Sequence, residues 1–234
     1  MSDVVAHHLP GAWGLPSGSP FCLKLDAFLR MTGIPHKAVV APTPFGGPKG
    51  KAPWIEHDGK KIGDSGFIID YLKTRFQVDP DKSLTPAQRA TAHALRRLIE
   101  ENLYWVMVYD RWMVDKNWPG VRDVILGSIP IPMRYVIAPV ARRSVRRQLL
   151  GHGIGKHTAD EIHAIGIRDV RALADTLGDK PFFMGNEPTE IDAVAYGTLA
   201  NIMIPPVDTP VKDEALSHKN LVAFLERFKA RYYA

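Results

Sequence analysis

The chain has 234 residues, 45% hydrophobic and 24% charged, enough apolar material for one or two buried cores and unlike a disordered or low-complexity chain. Thirty Lys and Arg stand against 25 Asp and Glu, a net +5 that suits an anionic ligand, a lipid surface or nucleic acid without choosing among them. A single cysteine, Cys22, excludes an intramolecular disulfide, a Cys-rich zinc module and an iron–sulfur site.

Residues 1–20 hold no apolar run of signal-peptide length. The longest apolar-looking stretch, 125–140, is interrupted by Pro130, Pro132, Arg134 and Pro139, which argues against a membrane span. These readings point to a soluble, cytoplasmic protein.

In chain order, residues 3–9 read as a strand. Ser19-Pro20 is an N-cap followed by an N1 proline and opens a helix that Gly33 stops. Residues 36–41 read as a second strand. Residues 54–57 and 60–63 flank Asp58-Gly59, the strongest hairpin signal in the chain. Asp64-Ser65 then caps a helix carrying Phe67, Ile68, Tyr71 and Leu72 at helical spacing. After the polar stretch 77–85, the texture becomes almost wholly helical, with amphipathic segments expected at 86–117, 158–178, 189–204 and 219–232. The boundaries drawn from this change are 1–78 and 86–234.

Three constellations can carry chemistry. At Ser19-Pro-Phe-Cys22, the free amides and positive dipole end of a helix face one hydroxyl or thiol, and a thiol placed there ionises more easily. Ser-Pro is equally a plain helix start, and Cys22, in the first turn, is either reactive or simply buried. At Lys51-Ala52-Pro53-Trp54, an X-Pro bond enters a strand; a cis bond there can present backbone to an extended peptide, whereas a trans one is an ordinary edge proline. Asp64-Ser65 supplies a hydroxyl, helix amides and an acid for a ligand's carboxylate and ammonium, or else only a cap. The order of the three suits a small thiol tripeptide.

The segments SPFCLKLDAFLRMTGIPHK and PKGKAPWIEHDGKKIGDSGFIIDYL resemble the N-terminal domain of glutathione transferases, and DKPFFMGNEPTEIDAVAYGTLANI resembles their C-terminal domain. More narrowly, WGLP…SPFCLKL…LRMTGIP and RRSVRRQLLGHGIGKHTADEI look like the failed-axon-connections branch, related to the metaxins. The resemblance covers nearly the whole chain. It implies an α/β thioredoxin-like N-terminal domain plus an all-α C-terminal domain, and a homodimer by analogy. It implies glutathione as co-substrate, no metal, and a small electrophile as second substrate.

Carried over residue by residue, the resemblance makes Ser19 the hydroxyl that bonds the glutathione thiolate. Ala52 before Pro53 would pair with the cysteinyl backbone, Asp64 and Ser65 would hold the γ-glutamyl end, and Lys51 would aid an anionic ligand. Trp13, Cys22, Tyr104 and Trp112 form a second tier. Thr189-Glu-Ile-Asp192 matches a buried capping box. Two departures stand out. No tyrosine lies on the first strand, where His7 and His8 stand instead. Residues 42–49, rich in Pro and Gly, leave the family's second helix shortened or absent.

Tyr104, Val108 and Trp112 fall at i, i+4 and i+8, a stripe that is either core or the wall of an apolar substrate pocket. Nine histidines show no paired metal spacing, and His152, His157 and His163 read as polar surface. Residues 124–159 carry six Lys and Arg and no acid, which leaves the rest of the chain at −1. There Arg142, Arg143, Arg146 and Arg147 form one positive helical face, either solvated or contacting an anionic membrane surface. The lack of interleaved aromatics argues against nucleic acid. Two further readings stay open: a non-catalytic binding or membrane-surface module on the same fold, and a thiol-dependent isomerase or dehalogenase.

Overall fold

A computed structural model describes residues 3–41, 43–127 and 129–234. Pro42, part of the segment expected to lack helix, lies outside the described residues. Strands β1 (Val4–His8), β2 (His36–Val40), β3 (Trp54–His57) and β4 (Lys60–Gly63) form one sheet in the order β2-β1-β3-β4. β1 runs parallel to β2, across the connecting helix α1 (Pro20–Thr32), and antiparallel to β3. Asp58 and Gly59 both have positive φ, 48° and 72°, the pair that lets a two-residue turn follow the twist of β3 and β4. Helix α2 (Ser65–Phe76) follows the hairpin. The thioredoxin-like arrangement of sheet and helices is as expected, and among the described residues between β2 and β3 a short 3-10 turn, Pro44–Gly46, stands where a helix could have been.

The remaining helices are α3 (Pro86–Arg97), α4 (Tyr104–Trp112), α5 (Trp118–Ile125), α6 (Ile131–His152), α7 (Ala159–Leu177), α8 (Glu190–Met203), α9 (Pro210–Ser217) and α10 (Lys219–Tyr232). One continuous helix over 86–117 was expected, but α3 and α4 are joined by a π-turn, Leu98–Leu103. Ile99, Glu100 and Leu103 of this wider turn are buried. Helix α4 then stops at Trp112, because the Arg142 guanidinium takes over its last carbonyls: Nε donates to Trp112 O at 2.7 Å and an Nη to Met113 O at 3.0 Å.

Every residue of α8 is buried, and its stretch of Ala193, Ala195, Gly197 and Ala200 lets neighbouring backbones come close. A Cβ on Gly197 would sit 2.6 Å from Pro20 O and 3.0 Å from Lys24 N, so α1 and α8 touch backbone to backbone. Phe28, Phe183, Phe224 and Phe228, at most 1% exposed, extend this core between the sheet unit and the helices. The capping box at the start of α8 is present: Asp192 accepts from Thr189 N at 2.7 Å and Thr189 Oγ1 at 2.8 Å, and its other oxygen takes the Phe183 amide at 2.8 Å. Burial pushes this carboxyl up to about 6, against those hydrogen bonds.

Candidate active site

The N-terminus of α1 meets loop 9–18 at Ser19. Ser19 is extended (φ −101°, ψ 122°), and its Oγ accepts from the Cys22 amide at 3.4 Å, while its hydroxyl also lies within hydrogen-bonding reach of the Cys22 thiol. Beneath it Ser17, 2% exposed, donates to Leu9 O at 2.9 Å and accepts the Ser19 amide at 3.3 Å, which fixes the approach to the helix. Ser19 itself is half-buried, the more open of the two hydroxyls.

Cys22 is 1% exposed. Burial pushes its thiol above the usual range, although bonds to Leu9, Ser19 and Ser17 pull the other way. The reading of Cys22 as a reactive thiol therefore gives way to the buried alternative, since a neutral, enclosed thiol is a poor nucleophile. Tyr104 packs its ring on Phe21 at 4.8 Å, and burial raises its phenol, with the Cys22 side chain adding to the rise. Trp112 is engaged elsewhere, on Trp118 at 5.0 Å, and Val108 is core.

Loop 9–18 folds on itself through a paired Ala12–Leu15 turn with Trp13 and Gly14 at positive φ, 53° and 78°. The Trp13 ring lies over the Arg111 guanidinium, whose carbon is 4.8 Å from the ring centre. Arg111, 4% exposed, also donates to Gly18 O at 2.8 Å and to Asn201 Oδ1 at 3.0 Å. Desolvation pushes its guanidinium down to about 10. Nothing in the spacing of α4 singled out this residue.

The Ala52–Pro53 bond is cis; Lys51 is exposed, Ala52 half-buried and Pro53 buried. His7 does not stand in for the absent tyrosine at Ser19, since its ring stacks on Trp54 at 4.7 Å and 6°.

At the start of α2, Asp64 holds φ 80° and ψ 119°, a costly conformation for a non-glycine residue and a mark of a constrained site. Its Oδ1 accepts the Gly66 amide at 2.9 Å. Ser65, buried, accepts from Lys24 Nζ at 3.3 Å, so its own proton is directed to another acceptor.

Lys24, 1% exposed, reaches Glu100 Oε1 at 2.6 Å; Arg96 and Arg97 hold the other oxygen at 3.0 and 2.7 Å. Burial acts to raise Glu100, yet Lys24 and Arg96 outweigh it and keep the carboxyl below its ordinary range. Burial lowers Lys24 despite Glu100. Arg96 also bridges to Glu190 at 3.1 Å, and a Cβ on Gly66 would lie 2.3 Å from its guanidinium, so that Arg96 covers the start of α2. Lys24, Arg96 and Glu100 have no local sequence signal; only the fold assembles them.

Two surface readings need correction. Arg142 does not belong to a free basic face, being used to cap α4 and pair with Asp115 at 2.5 Å, while Arg143, Arg146 and Arg147 are exposed. His163 is half-buried and bound to the buried Asp110 at 2.8 Å, whereas His152 and His157 are exposed as foreseen, His152 stacking on Trp105 and bonding Glu101 O and His157 lying beside Glu161. Among the described residues no three His, Cys, Asp or Glu side chains group as metal ligands.

Residues 20–117 match the model of a glutathione S-transferase N-terminal domain, and 166–228 that of a glutathione S-transferase C-terminal domain. An isoprene-epoxide–glutathione S-transferase from Rhodococcus is 35% identical over 227 residues, covering 94% of this chain and 95% of that one. The chain belongs to the glutathione S-transferase family. Within it, Failed axon connections from Drosophila melanogaster is 30% identical over 94% of this chain, which spans 55% of that protein. Human metaxin-2 is 27% identical, covering 96% of this chain and 86% of its own. The chain thus has relatives in the metaxin-like branch. Among solved structures, the β-etherase LigF from Sphingobium has a TM-score of 0.67 at 19% identity, covering 98% of this chain and 96% of the other. A Methylobacterium radiotolerans glutathione S-transferase in complex with glutathione sulfonate has a TM-score of 0.62 at 17%, covering 98% and 92%. The expected two-part glutathione-transferase fold is therefore shown.

The cytoplasmic assignment is withdrawn. Metaxins and Failed axon connections stand among this transferase-fold protein's relatives beside the Rhodococcus enzyme, so descent and fold do not place it in the cytoplasm, and a lone cysteine cannot do so. No helix among the described residues is long and apolar enough to cross a membrane.

Proposed function

We propose that the chain binds glutathione, through a unit formed by residues 1–78, and activates its thiol for attack on a small electrophile. The observation that carries this reading is Ser19: a half-open hydroxyl at the dipole end of α1. Ala52 before Pro53 offers backbone to the cysteinyl unit. Ser65 and the amides of α2 meet the γ-glutamyl carboxylate, with Asp64 beside the ammonium. Lys51, exposed at the mouth, answers the glycyl carboxylate left without a second helix. Tyr104, beside Phe21, borders the apolar side on which the electrophile would lie, and Trp13 closes the loop behind Ser19.

The Rhodococcus relative's name points to an epoxide as the electrophile. The thiolate sulfur attacks an epoxide carbon, the C–S bond forms as the strained C–O bond breaks, and the alkoxide takes a proton from water. The residues here supply proximity and thiolate stabilisation. We place this activity in a homodimer, which sedimentation tests directly. Calorimetric titration with glutathione, followed by conjugation of an epoxide and haloarene panel, tests the reading. Ser19→Ala should cut kcat/KM about tenfold or more with an unchanged melting curve. Absence of both glutathione binding and conjugation would overturn it.

A second reading, a membrane-surface module, is favoured by one observation. The exposed side of α6 is apolar in its first half (Met133, Val136, Val140) and basic in its second (Arg143, Arg146, Arg147). It predicts flotation with vesicles containing anionic phospholipid, lost when these three arginines become glutamine. Equal recovery with neutral vesicles, or none at all, would refute it.

A further inference from the structure

Three cations are drawn into the seam between the sheet unit and the helices. Lys24 is paired with Glu100, and Arg96 with Glu100 and Glu190. Arg111, 4% exposed, has no carboxylate among the described residues: its partners are the Gly18 carbonyl, Asn201 and the Trp13 ring. A buried guanidinium without a counter-charge is unfavourable in the empty protein, and it attracts an anion brought to its vicinity. Through Gly18 O it grips the residue preceding Ser19. The Tyr104 phenol lies within electrostatic reach of both Arg111 and Cys22, which places the charge on the α1 side of α4.

Resting on the thiol-binding reading of Ser19, we propose that Arg111 is the charge partner of the bound thiolate. It is a positioning residue that acts through loop 9–18 and through space rather than by touching the ligand. The thiol releases its proton to solvent on binding, and the resulting sulfur anion neutralises a guanidinium that is otherwise unbalanced. Ser19 supplies the local hydrogen bond and Arg111 the longer-range field, which the enclosed surroundings screen less than water would.

Other ionisable groups near the helix start do not fill this role. Cys22 and Tyr104 are held in their neutral forms by burial. Asp64 is spent on the Gly66 amide. His7 lies flat on Trp54, His8 bonds Leu9 O, and Asp110, next to Arg111 in sequence, turns away to His163. Lys51 is exposed, where solvent screens it.

The test is the ionisation of bound glutathione, followed by the thiolate's ultraviolet absorbance against pH and by proton release in calorimetry with two buffers. Arg111→Met should raise the bound thiol's midpoint by about one pH unit, and Arg111→Lys should restore most of it. Ser19→Ala, a half-open site that leaves Arg111 in place, should keep part of the depression even if Arg111→Met fails to fold. The inference falls if glutathione binds but the midpoint is unmoved in Arg111→Met, or if Ser19→Ala alone returns it to the free value. If the native protein binds no glutathione, the thiol-binding reading fails, and this inference with it.

Discussion

Replacing Glu100 by glutamine keeps the shape of the inter-unit seam and removes the charge that Lys24 is buried against. At the 2.6 Å separation, an effective dielectric of about 20 gives a gross attraction of about 6 kcal/mol. Lys24 is 1% exposed, so water cannot replace that attraction. It can stay charged beside an amide or shed its proton, and shedding it at pH 7 from the ordinary value of 10.5 costs about 5 kcal/mol, which caps the loss. The net destabilisation should be about 3–5 kcal/mol, a fall in melting temperature of roughly 10 °C. Arg96 and Arg97 add little, since both are partly solvated and keep Glu190 and Glu101.

Lys24→Met in the Glu100→Gln background should recover most of the loss, because a methionine beside the neutral amide leaves no buried charge without a counter-charge. Acid should narrow the gap. Glu100 is held below 4.5, so its contribution is complete above that pH and is lost as the pH falls through the depressed value. Thermal and urea unfolding of the three proteins measures all of this. A single variant within about 2 °C of the native protein, or a double variant no better than Glu100→Gln, would refute the reasoning.

Asp192 has the opposite sign. Its pKa rises from 3.8 unfolded to about 6 folded, so the native state holds the proton more tightly and stability falls as pH climbs through that window, by about 3 kcal/mol at most. Asp192→Asn should flatten this part of the urea-derived stability–pH curve, while Asp192→Ala should cost about 1 kcal/mol or more at any pH by stripping the Thr189 and Phe183 bonds; an unchanged pH curve and melting temperature would count against both. Gly197→Ala should destabilise by about 1–3 kcal/mol, since the new methyl would meet Pro20 O and the Lys24 amide, backbone atoms that cannot swing aside; an unchanged urea midpoint would mean that α1 and α8 can separate at little cost.

Local chemistry made much of the fold readable. Ser19-Pro20, Asp58-Gly59, Thr85-Pro86 and the Thr189–Asp192 box each act within four residues, and each starts or turns an element where expected. Helix α9 was missed although Thr209-Pro210 carries the same cap signal, because eight residues hold too little periodicity to stand out. The π-turn was illegible for another reason. The helix is wide at 98–103, where Glu100 meets Lys24, 76 residues earlier in the chain, a partner that no local pattern shows. Arg142 misled in the same way: beside Arg143 it reads as one more exposed cation, and only the fold shows α4's carbonyls 30 residues upstream to be its partners.

That difference recasts the charge of the molecule. The excess of positive charge is concentrated in 124–159, and three of its six cations, Arg143, Arg146 and Arg147, lie on the solvent side of α6, where water and salt weaken any charge. Beside the exposed Lys51, the cations placed near the candidate site are Lys24, Arg96 and Arg111, buried or partly buried in a body whose overall balance is near neutral. Two of them are bound by carboxylates, which hold Lys24 under Ser65 and Arg96 over the first turn of α2. Their charge is already met, and they fix the geometry at the start of α2. Among the described residues of this seam, Arg111, which bonds the carbonyl of the residue before Ser19, is the buried charge left for an anion to meet. Net charge therefore says little about where this chain would stabilise a thiolate; the pairing of each buried cation decides it.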